Sequence, residues 1–366
     1  MIKTSKKSIL GYVLLLGSIT VLVSTIIPPS HFWPAYFLSL LILPVIGVNI
    51  LLFTYYLLRT RWLKFILTSV FLLFCYPFVL STYVVNSADD EELDSYKFKV
   101  LSYNASFFNV GPIFTKSYYS PDLQQRGILL KDWLSKNDAD IKCIQEFYND
   151  ENSDIFNSIE AITKRGGYDY FFLSKPAHKN GVKRGMVIFS KFPIVNSGEL
   201  FMSNNLYNAS AYADVVVHSD TIRIINTHLQ SMNLKEGSAS AIRDKLSRIK
   251  HGAIRREDQL SLITEFINSS PYEVVLCGDF NEIPYTYSYL YIKDRIDNSF
   301  EEAGNGFGFT YNGRSLFFLR IDHQFHTKNL KPTKFITYSD NYLSAHFPIE
   351  CEYKLLNKEQ LLRAKN

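Results

Sequence analysis

Three apolar stretches without a charged residue, Ile9 to Ile27, Tyr36 to Leu58 and Phe65 to Val85, fill most of the first 88 residues. Each is close to the roughly 20 residues that a helix needs to cross a bilayer, so the sequence predicts three transmembrane helices at about 9–27, 36–58 and 65–85. Pro44 and Pro77 are expected as kinks, which membrane helices tolerate. A cleavable signal peptide is the alternative for the first stretch, because Lys3, Lys6 and Lys7 precede it. Its apolar run is longer than a usual signal core and two further apolar runs follow directly, which favours the membrane anchor.

Charge orders these segments. Residues 1–88 contain Lys3, Lys6, Lys7, Arg59, Arg61 and Lys64 and no Asp or Glu. Lys and Arg beside a span stay on the cytoplasmic face, so the N-terminus and the second loop are expected inside and the first loop outside. The acidic run Asp89, Asp90, Glu91, Glu92 then begins outside, and everything after it is expected to be extracytoplasmic in a multi-pass membrane protein whose compact anchor points to a bacterial cell membrane. Trp33 and Trp62 fall near the expected interfaces. The boundaries that follow are an anchor over 1–88, a linker over 89–96, a folded domain over 97–354 and a polar tail over 355–366.

Beyond residue 88 the chain holds 33 bases against 35 acids, a net charge of −2 that argues against a domain coating nucleic acid. An aromatic content of 15% excludes disorder, and four cysteines are too few for a disulfide scaffold. From Tyr96 onward short β-rich runs alternate with amphipathic helices, the pattern of a layered α/β domain. Strands are expected at 97–103, 141–145, 186–189, 211–217, 222–226, 274–277, 321–325 and 349–353. Helices are expected at 123–136, 155–164 and 256–267. His218, Ser219 and Asp220 form a hairpin turn, and Cys143 and Cys277 read as small apolar core residues.

Polar residues recur where these strands end. Asn104, Gln145 with Glu146, Asn226 with Thr227 and His228, Asp279 with Asn281, Asp322, and His346 each close or follow an apolar run. Singly, each has an ordinary reading: Asp279 and Asn281 make an Asx-turn, Glu146 is a solvated strand end, and the histidines are surface groups. Together, carboxylates, amides and histidines from separate strands supply hard oxygen ligands and proton donors.

The ordered set Asn104, Gln145-Glu146, Asn226-Thr227-His228, Gly278-Asp279-Phe280-Asn281, Arg320-Ile321-Asp322 and Ser344-Ala345-His346-Phe347-Pro348 resembles the endonuclease/exonuclease/phosphatase, or DNase I-like, superfamily. The resemblance spans residues 97 to about 353 and implies a four-layered α/β sandwich of two central β-sheets flanked by helices. It further implies a metal-dependent phosphoric ester hydrolase using Mg²⁺ or Mn²⁺. Glu146 and Asn104 would hold the cation, Asp279 would orient or deprotonate the attacking water, and Asn281 would bind a phosphate oxygen. His228 would hydrogen-bond the phosphoryl group or help the leaving oxygen depart, and Asp322 would pair with His346 to keep a cationic donor in place.

The family's last block usually reads Ser-Asp-His, whereas here Ala345 stands between Ser344 and His346, so a carboxylate that supports the metal is missing. Asp340 is five residues upstream and replaces it only with a changed loop. The expected partners are a phosphoester (a lipid headgroup, a phosphorylated small molecule or nucleic acid) and the bilayer through residues 9–85. Lys235, Arg243, Lys245, Arg248, Lys250, Arg255 and Arg256 form a cationic segment suited to such anions, or a solvated helix face. Tyr285, Tyr287, Tyr289 and Tyr291 suit stacking on a ligand or packing. Two alternatives to a membrane-anchored phosphodiesterase or phosphatase follow: an extracytoplasmic nuclease of the DNase I type, or a catalytically impaired protein that binds phosphorylated ligands.

Overall fold

The computed structural model describes residues 6–86, 96–110, 121–174, 181–202, 208–232, 242–313 and 318–356. The chain divides into two compact units, one gathering Met1–Tyr83, Met232–Leu260 and Ile283–Asp294, the other Val84–Ser231, Ser261–Glu282 and Arg295–Asn366. Most of the expected linker, the tail beyond Leu356 and Lys235 of the cationic segment lie outside the described residues.

The first unit is helical. Helices span Lys6–Ser24, Pro34–Ser39, Ile42–Leu58 and Trp62–Thr82. Among the described residues, Trp62–Thr82 alone is long and apolar enough to cross a membrane, where three such helices were expected; the apolar parts of its companions are Ile9–Ser24 and Ile42–Leu58. Local chemistry shortens them. The Ser24 and Thr25 hydroxyls donate to the carbonyls of Val21 and Leu22 in the last turn, and Pro28 and Pro29 follow. The second stretch breaks at Leu41, whose φ of −89° and ψ of 1° are not helical. Pro44 therefore falls in the first turn of Ile42–Leu58, where a missing N–H costs nothing, instead of kinking a longer helix. Pro77 does lie inside its helix. That helix ends at Thr82, and Val84–Val85, expected at the end of the third span, is a strand of the second unit.

The cationic segment forms the first part of a helix, Ile242–Asn268, that begins well before the expected Arg256. Two of the four tyrosines belong to packing, while Tyr287 and Tyr291 are half-buried. Tyr289 is fully buried in the short helix Tyr287–Lys293, and Tyr285 joins Val21, Ile42, Ile46, Phe71, Cys75 and Phe78 in the core of this unit.

The second unit carries the strands. In chain order they are β1 (Val84–Val85), β2 (Lys97–Asn104), β3 (Ile141–Asp150), β4 (Tyr170–Leu173), β5 (Val182–Ser190), β6 (Ile194–Met202) and β7 (Ala209–Val217). Then come β8 (Asp220–His228), β9 (Glu273–Asp279), β10 (Asp297–Asn298), β11 (Asn305–Gly306), β12 (Asp322–His326), β13 (Leu330–Thr337) and β14 (Ile349–Leu355). One six-stranded sheet runs β13-β14-β2-β3-β5-β4, the other β10-β12-β9-β8-β7-β6, and β1 pairs with β11. Each large sheet contains one parallel pair, β2 with β3 and β8 with β9. A parallel pair needs a long crossover, and the chain supplies helices for both, Pro121–Lys136 and Ile242–Asn268.

Alternation in the strands explains the layers. Val100, Cys143, Ile188, Ile224, Val275, Cys277, Ile349 and Cys351 point between the sheets into one buried core. Leu101, Tyr103, Ile144, Phe147, Val187 and Phe189 point the other way, onto Leu130 and Leu134 of the crossover helix. The result is an α/β fold with two mixed sheets and covering helices. Cys143 and Cys277 are buried core residues, and burial raises the Cys143 thiol pKa. The turn expected at His218 is a two-residue hairpin between paired Val217 and Asp220. Three strands had weak sequence signals. β4 has four residues, β6 is an edge strand with two register shifts, and β13 carries Pro332 at a bulge. The helix expected at 155–164 is a single turn, Ser158–Glu160, continued by a π-helical turn over Ala161–Arg165.

Candidate active site

Strand direction brings the polar residues to one rim. In the parallel pairs Asn104 stands opposite Gln145 and His228 opposite Asp279, so β2, β8 and β9 end at the rim while β3 passes it at Gln145-Glu146 and runs on to Asp150. The antiparallel neighbours begin where these end. Asp322, first in β12, pairs with Asp279, and β14 begins with Ile349 opposite Ser102, which puts His346 just outside the same rim.

Local backbone then aims each group. Ile144 pairs with Val187 but Phe147 pairs with Gly185, so β3 carries one extra residue and bulges at Gln145-Glu146. Glu146 sits there at φ +48°, a left-handed conformation costly for a non-glycine residue and typical of a site that re-aims a side chain. Gly278 has φ +143°, and a Cβ there would lie 1.8 Å from the Thr227 carbonyl oxygen, so only glycine lets β9 approach β8. Asn281, at φ +51°, donates its backbone N–H to Asp279 Oδ1 at 2.9 Å, the Asx-turn that fixes this carboxylate.

Asp279 is the hub. Its Oδ2 accepts a hydrogen bond from Asn104 Nδ2 at 3.0 Å and lies 3.4 Å from His228 Nε2 and 3.7 Å from His346 Nε2. Glu146 stands nearby, with Oε1 3.4 Å from Asn104 Nδ2 and 3.8 Å from His228 Nε2, and a quarter of its side chain is exposed. His346 Nδ1 lies 2.9 Å and 3.2 Å from the two Asp322 oxygens. Asn281 is turned slightly aside, its Nδ2 donating to the Leu229 carbonyl at 3.2 Å. All seven predicted site residues thus belong to one cluster or its border.

Burial opposes a charged His346, but Asp322, Asp279 and Glu146 outweigh it and raise its pKa to about 9. Burial also raises Asp322, against the pull of His346. The pair therefore keeps a proton through neutral pH. Three carboxylates against one imidazolium leave the cluster net negative, which fits a cation.

Asp279, Asp322 and His346 each offer a ligand atom, all within 4.8 Å of one another. His346 is a poor member of that set, since its Nδ1 is committed to Asp322 and its raised pKa keeps it protonated. Glu146, partly open at the mouth, suits a hard cation better. Asn104 presents Nδ2 to both carboxylates while its Oδ1 accepts from Ser106 N at 3.0 Å, so it becomes a ligand only after its amide turns over.

The supporting roles of several residues escaped the sequence reading. Asn226 is structural, its Nδ2 reaching the Ile144 and Val187 carbonyls of the other sheet and its Oδ1 accepting from Gln145 Nε2. Ser344 donates to the Asn104 carbonyl at 2.7 Å, and Thr310 Oγ1 accepts the Asp322 N–H. The Tyr311 ring meets His346 edge-on at 5.3 Å. Ala345 is exposed, and its carbonyl accepts from Asn312 N at 2.7 Å. Asn226 and Ser344 are visible in the Asn-Thr-His and Ser-Ala-His blocks, whereas Thr310 and Tyr311 leave no mark in sequence spacing.

Fold and rim together define a two-sheet α/β sandwich with an acidic, histidine-bearing site at the strand ends. The chain belongs to the Endonuclease/Exonuclease/phosphatase family, which matches residues 101–341 and whose members are generally hydrolases acting on phosphoesters. A domain of unknown function matches residues 7–82. Among solved structures, TDP2 from C. elegans is 17% identical with a TM-score of 0.50, over 72% of this chain and 77% of that one. An endonuclease/exonuclease/phosphatase from Beutenbergia cavernae is 18% identical with a TM-score of 0.49, over 72% of each chain. The human nocturnin catalytic domain with bound sulfate is 19% identical with a TM-score of 0.48, over 73% and 96%. No curated protein sequence matches.

Proposed function

We propose that this protein is a membrane-attached, divalent-metal-dependent phosphodiesterase or phosphatase. The convergence of Glu146, Asp279, His228 and the Asp322–His346 pair at one rim carries the reading. Glu146, joined by Asn104 once its amide turns, would hold Mg²⁺ or Mn²⁺. The bound ion would polarise the scissile phosphate and offset its charge. Asp279, fixed by Asn104 and the Asn281 N–H, accepts a proton from the attacking water. His228 is placed to donate to a phosphoryl oxygen. His346, held cationic by Asp322, faces the growing negative charge of the pentavalent transition state. In-line attack by water then needs no covalent enzyme intermediate.

Attachment to a bilayer is supported by the apolar side chains that the first unit turns outward, among them Leu16, Leu51, Leu73 and Phe74. Arg59, Arg61 and Lys64 flank the start of Trp62–Thr82, which by the positive-inside rule sends the residues after it out of the cytoplasm. The second helix and the loop before it are tied to the cationic helix, Ser30 donating to Glu257 and Arg256 donating to the Tyr36 hydroxyl. Contacts of that kind require both segments to lie on one side of a membrane.

The test uses full-length protein in detergent with Mg²⁺ or Mn²⁺ and a panel of bis-p-nitrophenyl phosphate, p-nitrophenyl phosphate, plasmid DNA and a choline phospholipid. Turnover is expected on at least one, lost in Glu146→Gln and Asp279→Asn. Ala345 favours a second reading, a protein that binds phosphorylated ligands without turning them over. No turnover by the folded native chain, followed by none in Ala345→Asp, would favour that reading, and activity gained in Ala345→Asp would show a site disabled only by the missing carboxylate.

A further inference from the structure

Arg184 lies on β5 directly across from Tyr148, two residues beyond Glu146 on β3. Its guanidinium stands 5.4 Å from the Tyr148 ring and 5.9 Å from the Phe107 ring, and Phe107 follows Asn104 by three residues. The residue is half-buried, yet its Nε and one Nη (Nη2) are shielded from water with no hydrogen-bond partner. These two nitrogens form the fork by which arginine grips an oxyanion. Arg223 uses the same edge in this chain, clasping Asp214 at 2.7 Å and 2.9 Å. Leaving such an edge shielded and unpaired is costly and calls for an absent partner.

The sequence offers Arg184 little local competition. Between Tyr170 and Gly198 the chain carries Lys175, Lys179, Lys183, Arg184 and Lys191 and no Asp or Glu. Lys183 pairs with Glu151, and Lys191 with Asp140 at 3.5 Å. The turn that presents Phe107 is held at a cost. Ser106, Phe107, Phe108 and Asn109 all have φ between +45° and +55°, where non-glycine residues are strained. Asn109 Nδ2 donates to the Leu343 carbonyl, and Ser106 bonds Ser344. A Cβ at Gly127 would lie 2.1 Å from the Phe108 carbonyl oxygen, which explains a glycine inside the crossover helix. A strained turn locked from three directions beside the rim is the mark of a site.

We propose that Arg184, framed by Phe107 and Tyr148, is a phosphate-binding residue at the edge of the active site. It deepens the phosphoesterase reading, on which the term substrate rests. The phosphate is either the scissile group or a neighbouring one on the same substrate. Arg184 takes it through Nε–H and Nη2–H in a bidentate grip, adding a cation to a rim otherwise dominated by carboxylates.

The experiment titrates inorganic phosphate into the full-length protein in detergent and EDTA by calorimetry, comparing native chain, Arg184→Ala and Arg184→Lys. Phosphate affinity should fall at least tenfold in Arg184→Ala, and by a smaller factor in Arg184→Lys, which keeps the charge and loses the fork. Equal affinity in native and variants, or no phosphate binding by the native chain, overturns the proposal. If Arg184→Ala fails to fold, the Arg184→Lys comparison decides alone. Kinetics then separate the two sources. A KM rise on bis-p-nitrophenyl phosphate marks the scissile group, whereas a rise confined to a 5′-phosphorylated dinucleotide marks a neighbouring one. Absence of turnover in the native chain would remove the hydrolase reading and leave the phosphate titration standing.

Discussion

Asn226→Ala tests whether the site rests on an amide that joins the two sheets. Asn226, on β8, is fully buried and donates to the carbonyls of Ile144 at 3.2 Å and Val187 at 3.1 Å, a register pair of the opposite sheet. Its own carbonyl accepts from Gln145 Nε2 at 2.6 Å. The bulge that turns Glu146 outward interrupts the β3–β5 ladder at this point, and Asn226 fills the gap. Removing it deletes three buried bonds worth about 1 kcal/mol each and leaves groups whose desolvation adds roughly 1–3 kcal/mol. A loss of about 4–6 kcal/mol is expected, a large part of the roughly 5–15 kcal/mol that holds a domain together. At about 2–4 °C per kcal/mol, the melting temperature should drop by roughly 10–20 °C. Chemical denaturation of the full-length chain in detergent measures it. A loss under about 1 kcal/mol with an unchanged denaturant slope would refute the reasoning, since water or neighbours would then be replacing the amide without cost.

Gly278→Ala should destabilise by about 3 kcal/mol or more, because the added Cβ meets the Thr227 carbonyl at 1.8 Å and φ is +143°; folded yield and thermal unfolding report it. The raised pKa of His346 means that the folded state binds more protons than the unfolded one between about 6.5 and 9. The stability it contributes is complete below about 6.5 and is lost as pH rises through about 9. Lys142, lowered to about 7 by burial, gives a slope of opposite sign. The quantity to measure is therefore the difference between native and Asp322→Asn across pH 6 to 10, which should shrink as pH rises. Finally, Mg²⁺ or Mn²⁺ should raise the melting temperature of the native chain and leave Glu146→Gln unmoved, a direct check on the proposed ligand by thermal shift.

Several features of this protein were legible in its sequence because they are local. Apolar periodicity marked β2, β3, β7, β8, β9 and β14, and strand-end polar residues marked the seven rim groups, since a strand delivers whatever follows its apolar run to its own tip. The charge-free stretches marked the helical N-terminal part. Their exact lengths were not legible, because Ser24, Thr25 and the break at Leu41 end helices through backbone geometry that hydropathy averages over. Edge strands β4, β6 and β13 were also hidden, since an edge needs only one buried face and tolerates bulges and proline.

What tertiary structure alone decided is the use to which the residues are put. Sequence order places Asn226 and His228 two positions apart, but only the packing of two sheets makes the first a seam and the second a rim group. The bulge at Glu146, the left-handed turn through Phe107 and the unpaired fork of Arg184 depend on neighbours distant in the chain. A sequence determines which groups reach the end of a strand. Which of them face each other, and which are left without a partner, follows from long-range register and the close packing of the core.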